Sequence, residues 1–275
     1  MQGRKGQRAF TLVEMSMVLI VIGLVIVIVF PALNAIRQST QRQVTQSNLD
    51  TLLRASAAFV QSHGCLPCPT PASTVGAGFG YVRGNASGAA CASCPQPEGV
   101  VPFASLGLPM AVAKDGWGRW ITMRIDPALA INFGVIPPTS VCLSSDPLPC
   151  VQGESRKGLC QASLPTTNRI TVTTPGATVE QAAILFLSHG ANGHGAYHAG
   201  PLTNDGTNNH PTFTGSLTPC TSSGGFERCN ANGDAAFING ESANIAASSF
   251  DDQLRYLGRD ALVSYLGNPA CQTTW

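Results

Sequence analysis

Charge is scarce in this sequence. Only 11% of its 275 residues are Asp, Glu, Lys or Arg, against about 25% in typical soluble domains. The formal net charge is +1, and no basic patch follows the first nine residues. That leaves no electrostatic footprint for nucleic acid. Catalytic signatures are also missing: there is no G-x-S-x-G, no H-E-x-x-H and no P-loop. His63 and Cys65 stand close in sequence, but that alone makes no dyad, and oxidation removes the thiol. Asp251-Asp252 reads as a turn or cap pair before the last element. No cysteine precedes residue 65, and no charged residue lies between Met15 and Phe30. The expectation is a structural protein rather than an enzyme, with no cofactor required.

The longest uncharged stretch is the first feature present. Counting from Phe10 to Phe30, the predicted helix has 21 residues, or about 31 Å, roughly the hydrocarbon thickness of a bilayer. Arg4, Lys5 and Arg8 precede it with no acid among them. This places the N-terminus in the cytoplasm and the rest across the membrane. An ordinary secretory signal would end beside small residues, and Pro31-Ala32-Leu33-Asn34-Ala35 offers only a poor site of that kind. Glu14 interrupts the run. A carboxylate within a membrane segment costs a few kcal/mol unless compensated, and the helix dipole offsets only part of that. Cleavage before Phe10 would create a compensating α-amino cation, one helical turn away in the same chain or at the same depth on a parallel neighbour.

The segment AFTLVEMSMVLIVIGLVIVIVFPAL resembles the N-terminus of type IV pilins and type II secretion pseudopilins. The resemblance implies cleavage between Ala9 and Phe10 by a prepilin peptidase, N-methylation of Phe10, an assembly glutamate at Glu14 and a helix-kinking proline at Pro31. Ala9 departs from the glycine usual before the cut. The implied fold class is α+β and pilin-like: a long N-terminal helix, membrane-spanning in one half and amphipathic in the other, packed on a small antiparallel sheet with long disulfide-rich loops. The expected divisions are a cytoplasmic leader at 1–9, the N-terminal helix at 10–64 with 10–30 in the membrane, and an extracytoplasmic head at 65–275. The implied role is a pilus or pseudopilus subunit, minor or at the tip because the head is large. It would reside in a bacterial inner membrane with its head in the periplasm, before assembly into a periplasmic or extracellular filament. Its implied partners are the peptidase, other pilins, the platform and ATPase machinery, and the membrane. The alternative is an anchored binding module or adhesin that enters no filament. Loss of the leader removes three basic residues, so the processed charge is 1 − 3 = −2.

Beyond Pro31 apolar residues continue at helical spacing to Val60, sharpest from Leu49. The polar weave from Gln38 to Asn48 predicts little burial there. Gly64 and Pro67 close the helix, which from Phe10 to His63 has 54 residues and, if continuous, a length of about 80 Å. Residues 65–105 and 126–165 read as loop. Asp115 to Ile125 reads as a turn followed by a strand with one more apolar face. It resembles the D-P-W-G-x-P-Y motif of major pseudopilins, with Gly116 in place of the first proline. Arg169–Thr173 reads as a strand, Val179–Ala183 as a helical turn, and Ala183–Ser188 as a wholly apolar strand. Pro201–Ser249 reads as irregular loop. Phe250–Leu266 reads as the last ordered element.

The ten cysteines are at 65, 68, 91, 94, 142, 150, 160, 220, 229 and 271. An even count beyond an export segment points to disulfides. Cys142–Cys150 and Cys220–Cys229 would close short loops, and Cys160–Cys271 would tie back the C-terminus. Cys65, Cys68, Cys91 and Cys94 form two C-x-x-C pairs with a 22-residue spacer, compatible with one tetrahedral zinc or with disulfides within or between the pairs. Neither pair has the βα context of a redox enzyme. Pro69 and Pro95 stand where haem attachment needs histidine. His189, His194 and His198 share a glycine-rich loop with Asn192; histidines at such spacing can bind a transition metal, though more often they are solvated loop residues. Ser188 to Gly193 resembles the pseudopilin S-L-G-A-D-G stretch, next to a loop that binds calcium in some relatives. Here the oxygen ligands would be Asn192, Asn204, Asp205 and backbone carbonyls.

Overall fold

The computed structural model describes residues 12–130, 159, 169–174, 179–193, 195–197, 226–231, 233–240 and 250–266. The chain divides into two compact units, Met1–Gln41 and Arg42–Trp275. Helix α1, Leu12–His63, is a 52-residue element with residues in both units, Pro31 among them.

In the first unit α1 carries apolar side chains that nothing covers. Leu12, Leu19, Ile20, Leu24 and Val27 are all exposed. In the second unit the same helix has a buried stripe. Thr45, Leu49, Leu52, Ser56 and Val60 follow one another at spacings of four, three, four and four, and all are fully buried. That spacing keeps one helix face turned toward one partner surface. Gly64 then takes φ 74° and donates its N–H to the Val60 carbonyl at 2.7 Å. An L side chain rarely adopts that conformation, so glycine suits the helix end.

The stripe packs in the main core, which holds Leu49, Leu52 and Val60 with Ile121, Met123, Ile125, Ile184 and Phe186. The main sheet has the order β1 (Glu98–Val100), β2 (Thr122–Ile125), β5 (Ile184–Ser188), β7 (Gln253–Leu257), all neighbours antiparallel. A second sheet has the order β4 (Val179–Ala182), β3 (Ile170–Thr173), β6 (Ala236–Ile238). It is mixed rather than antiparallel, since β3 and β6 run parallel. Its Ile170, Val172 and Phe237 form another core with Leu185, Leu187 and Leu254. Alternate residues of a strand face opposite sides. Strand β5 therefore sends Ile184 and Phe186 into one core and Leu185 and Leu187 into the other, which is why ILFLS shows no polar alternation.

Several expectations need correction. Val179–Ala182 is a strand, not a helical turn; it pairs with β3 at a sheet edge where Glu180 is exposed. Two elements lie inside the expected loop 201–249: helix α2, Phe226–Ala231, and strand β6. Two short 3-10 turns and β1 interrupt the expected loop 65–105. Strand β2 is buried on both faces. Its polar residues are paired: Arg124 lies opposite Glu98 in the β1–β2 register, donates to Glu98 Oε2 at 2.9 Å and reaches the Gly233 carbonyl at 3.0 Å. Thr45 is fully buried despite its polar neighbourhood, because its hydroxyl accepts the Gly116 N–H at 2.9 Å. Asn48 adds a donor to the Lys114 carbonyl at 2.8 Å. The loop before β2 is thus fastened to α1 by hydrogen bonds. The final segment is helix α3, Arg259–Leu266.

Cys65 bonds to Cys91 and Cys68 to Cys94, with Cα separations of 5.8 and 5.5 Å. Each C-x-x-C is bridged to the other, so the zinc arrangement on Cys65, Cys68, Cys91 and Cys94 is corrected. A sulfur spent in a disulfide is not a thiolate ligand. The fold here is a loop stapled twice beside the end of α1. Cys229 is also disulfide-bonded. Cys142, Cys150, Cys160, Cys220 and Cys271 lie outside the described residues.

Candidate functional site: the N-terminal segment and the loop after strand β5

Glu14 stands in the first turn of α1 and is exposed. Its described neighbours include the apolar, exposed Val13, Met17, Val18 and Val21. The Ser16 hydroxyl turns inward and donates to the Val13 carbonyl at 2.8 Å, which hides one of the few polar groups in the run. A helix that is apolar all round needs lipid or other helices against it. Among the described residues no helix is long and apolar enough to cross a membrane. The side chains at 28, 31 and 32 are outside that description. The sequence from Leu12 to Phe30 counts 19 residues with one charge. Ala9 and Phe10 lie outside the described residues, so the cleavage position has no geometry here. Pro31 lies within α1.

The second group of polar residues surrounds the loop that leaves β5. Asp115 is buried; its Oδ1 accepts the N–H groups of Trp117 and Arg119, both at 2.9 Å. Its Oδ2 accepts the Ser188 hydroxyl at 2.9 Å. Burial pushes the Asp115 carboxyl above the usual aspartate value, opposed by these hydrogen bonds and by the Arg119 charge. His189, also buried, meets the Thr122 hydroxyl through Nε2 at 3.2 Å. Ser188, His189 and Asp115 do not form a relay. Ser188 bonds the carboxylate and His189 bonds Thr122, all beneath the surface, so the cluster ties a turn to a strand end. Arg119 reaches the loop itself, donating to the carbonyls of Gly190 at 2.5 Å and Ala191 at 2.7 Å. From the other side, Asp251 Oδ2 accepts the N–H groups of Ala191 at 2.6 Å and Asn192 at 3.1 Å. His194, His198, Asn204 and Asp205 lie outside the described residues.

Residues 4–30 match the family model described as the prokaryotic N-terminal methylation motif. This is the prepilin-type signature of type IV pilins and pseudopilins. The matched stretch contains Ala9, Phe10 and Glu14, and ends where the uncharged run ends. No curated protein and no solved structure matches the chain. The signature is that of a structural, pilin-type class. Its features were visible in sequence because leader charge, apolar run and Glu14 are local. The bracketing of the 190–192 loop by Arg119 and Asp251 was not. Arg119 carries no such local signal, since it stands at the unspecified position of the D-P-W-G-x-P-Y motif.

Proposed function

We propose that this chain is a minor or tip subunit of a type IV pilus or type II secretion pseudopilus, cleaved between Ala9 and Phe10 and N-methylated on Phe10. The match over residues 4–30 carries this reading. It is supported by the uncovered apolar surface of α1, which needs a membrane before assembly and other helices after it. In this reading residues 1–9 are the leader, 10–64 the helix with 10–30 in the inner membrane, and 65–275 the periplasmic head. Glu14 pairs with the Phe10 amine of a parallel neighbour, and Pro31 loosens the helix, lacking the N–H that an uninterrupted helix uses. The head-to-tail repeat of one helix against the next propagates an open assembly. A large head with long segments between strands crowds a repeating surface and suits a subunit used once or seldom. The partners are the prepilin peptidase, other pilins, and the platform and ATPase machinery.

The test is Glu14→Ala in cells that carry the assembly machinery. The variant should stay anchored at wild-type level, while its recovery with partner pilins falls by roughly tenfold or more, the scale of one desolvated charge pair. Full recovery with partners would sink the reading and favour an anchored binding module or adhesin.

A further inference from the structure

We propose that the guanidinium of Arg119 is the resident cation of the loop after β5, so that the head folds without calcium. Two successive carbonyls, Gly190 and Ala191, converge on this one group at 2.5 and 2.7 Å. Converging carbonyls create a negative site that needs a cation or a set of donors. A planar guanidinium supplies both, with two N–H groups in a fixed fork. The opposite side of the same turn is held by a fixed anion, Asp251 Oδ2, through the N–H groups of Ala191 and Asn192. The space is full on both flanks: a Cβ at Gly193 would strike the Arg119 guanidinium, and one at Gly190 would strike the Asp251 carboxylate. The loop dipoles are therefore clamped between charges of opposite sign supplied by the chain itself.

Calcium fits poorly in that arrangement. It takes about six to eight oxygens at about 2.3–2.6 Å. The carbonyls of Gly190 and Ala191 are engaged by Arg119, Asp251 Oδ2 already accepts two N–H groups, and a guanidinium at the centre repels a dication. Position 192 carries a neutral amide where the resembling stretch has an acid. The neutral Asn192 and the Arg119 guanidinium stand at the same loop, so the positive charge that a bound metal would bring is supplied by the chain itself. The inference is independent of whether the chain enters a filament.

The test uses the full-length chain in detergent, with calcium chloride or a chelator as the only variable. Wild type should show the same melting temperature in millimolar calcium and in chelator, and should retain no calcium after dialysis. In Arg119→Gln, hydrogen exchange at the Ala191 and Asn192 amides should rise about tenfold, the equivalent of about one charge-assisted hydrogen bond. Arg119→Lys keeps the charge but not the fork and should fall between the two, which also covers the case in which the glutamine variant fails to fold. A wild-type protein that gains melting temperature with calcium overturns the proposal. So does unchanged exchange in both variants.

Discussion

Asp115 shows how one carboxylate organises a turn at a cost that depends on pH. It accepts three hydrogen bonds while buried, and burial still pushes its pKa above the ordinary aspartate value. Asp126 is raised for the same main reason, with a hydrogen bond from the Ala128 N–H and the Arg169 charge working against it. A carboxyl raised in the folded state takes up its proton before the unfolded chain does. Stability therefore increases as pH falls through the folded pKa toward the ordinary value, and the penalty is complete above the folded pKa. Asp115→Asn should remove the Asp115 share of this slope. Its Oδ1 still accepts the two backbone N–H groups, and the Ser188 hydroxyl can turn to accept from the amide. Denaturant unfolding between neutral pH and about pH 4, just above the ordinary aspartate value, checks this: the variant should gain less on acidification than wild type. An unchanged slope counts against the assignment. Asp115→Ala instead orphans three donors and should cost about 3 kcal/mol at neutral pH. The turn itself was legible from Asp115-Gly116-Trp117-Gly118. Its partner Ser188 was not, since no local pattern joins residues 73 apart.

Elements were legible in proportion to how far their burial shows in composition. Strand β5 stood out because both of its faces are covered, so every residue from Ile184 to Leu187 is apolar. Strand β4 was hidden because it is an edge with polar Glu180 and Gln181, and its pairing with β3 is not written in its own residues. Strand β6 and helix α2 are too short to set a period against their polar surroundings. In α1 the stripe from Leu49 was legible, whereas Thr45 was not. Its burial depends on a hydrogen bond to a loop 71 residues away. The double staple next to α1 was open to several pairings until the structure joined Cys65 to Cys91 and Cys68 to Cys94. Each bridge spans 26 residues. Either one closes the same loop, so replacing Cys68 and Cys94 by Ala should cost only about 2 kcal/mol. Removing both bridges should cost about 5 kcal/mol. Urea unfolding of the single-bridge and bridge-free variants measures the difference. A single removal as damaging as the double one would contradict the shared-loop account.

Over the whole molecule, the two compact units face different demands. The second unit buries its apolar residues in its own cores, around the stripe of α1 and between the sheets. The first exposes the apolar residues described in it, with Glu14 exposed beside them. A folded protein rarely leaves so continuous an apolar surface uncovered, so this unit is built for an environment the isolated chain does not provide. The match to the N-terminal methylation motif covers residues 4–30. The proposed processing joins the two observations: cleavage before Phe10 removes a +3 leader and creates the amine that the proposal pairs with Glu14 of a neighbour. The most direct measurement is the mass and N-terminal sequence of the chain after co-expression with its prepilin peptidase. The account predicts a chain beginning at N-methylated Phe10. An intact Met1, or a start at any other residue, would contradict it.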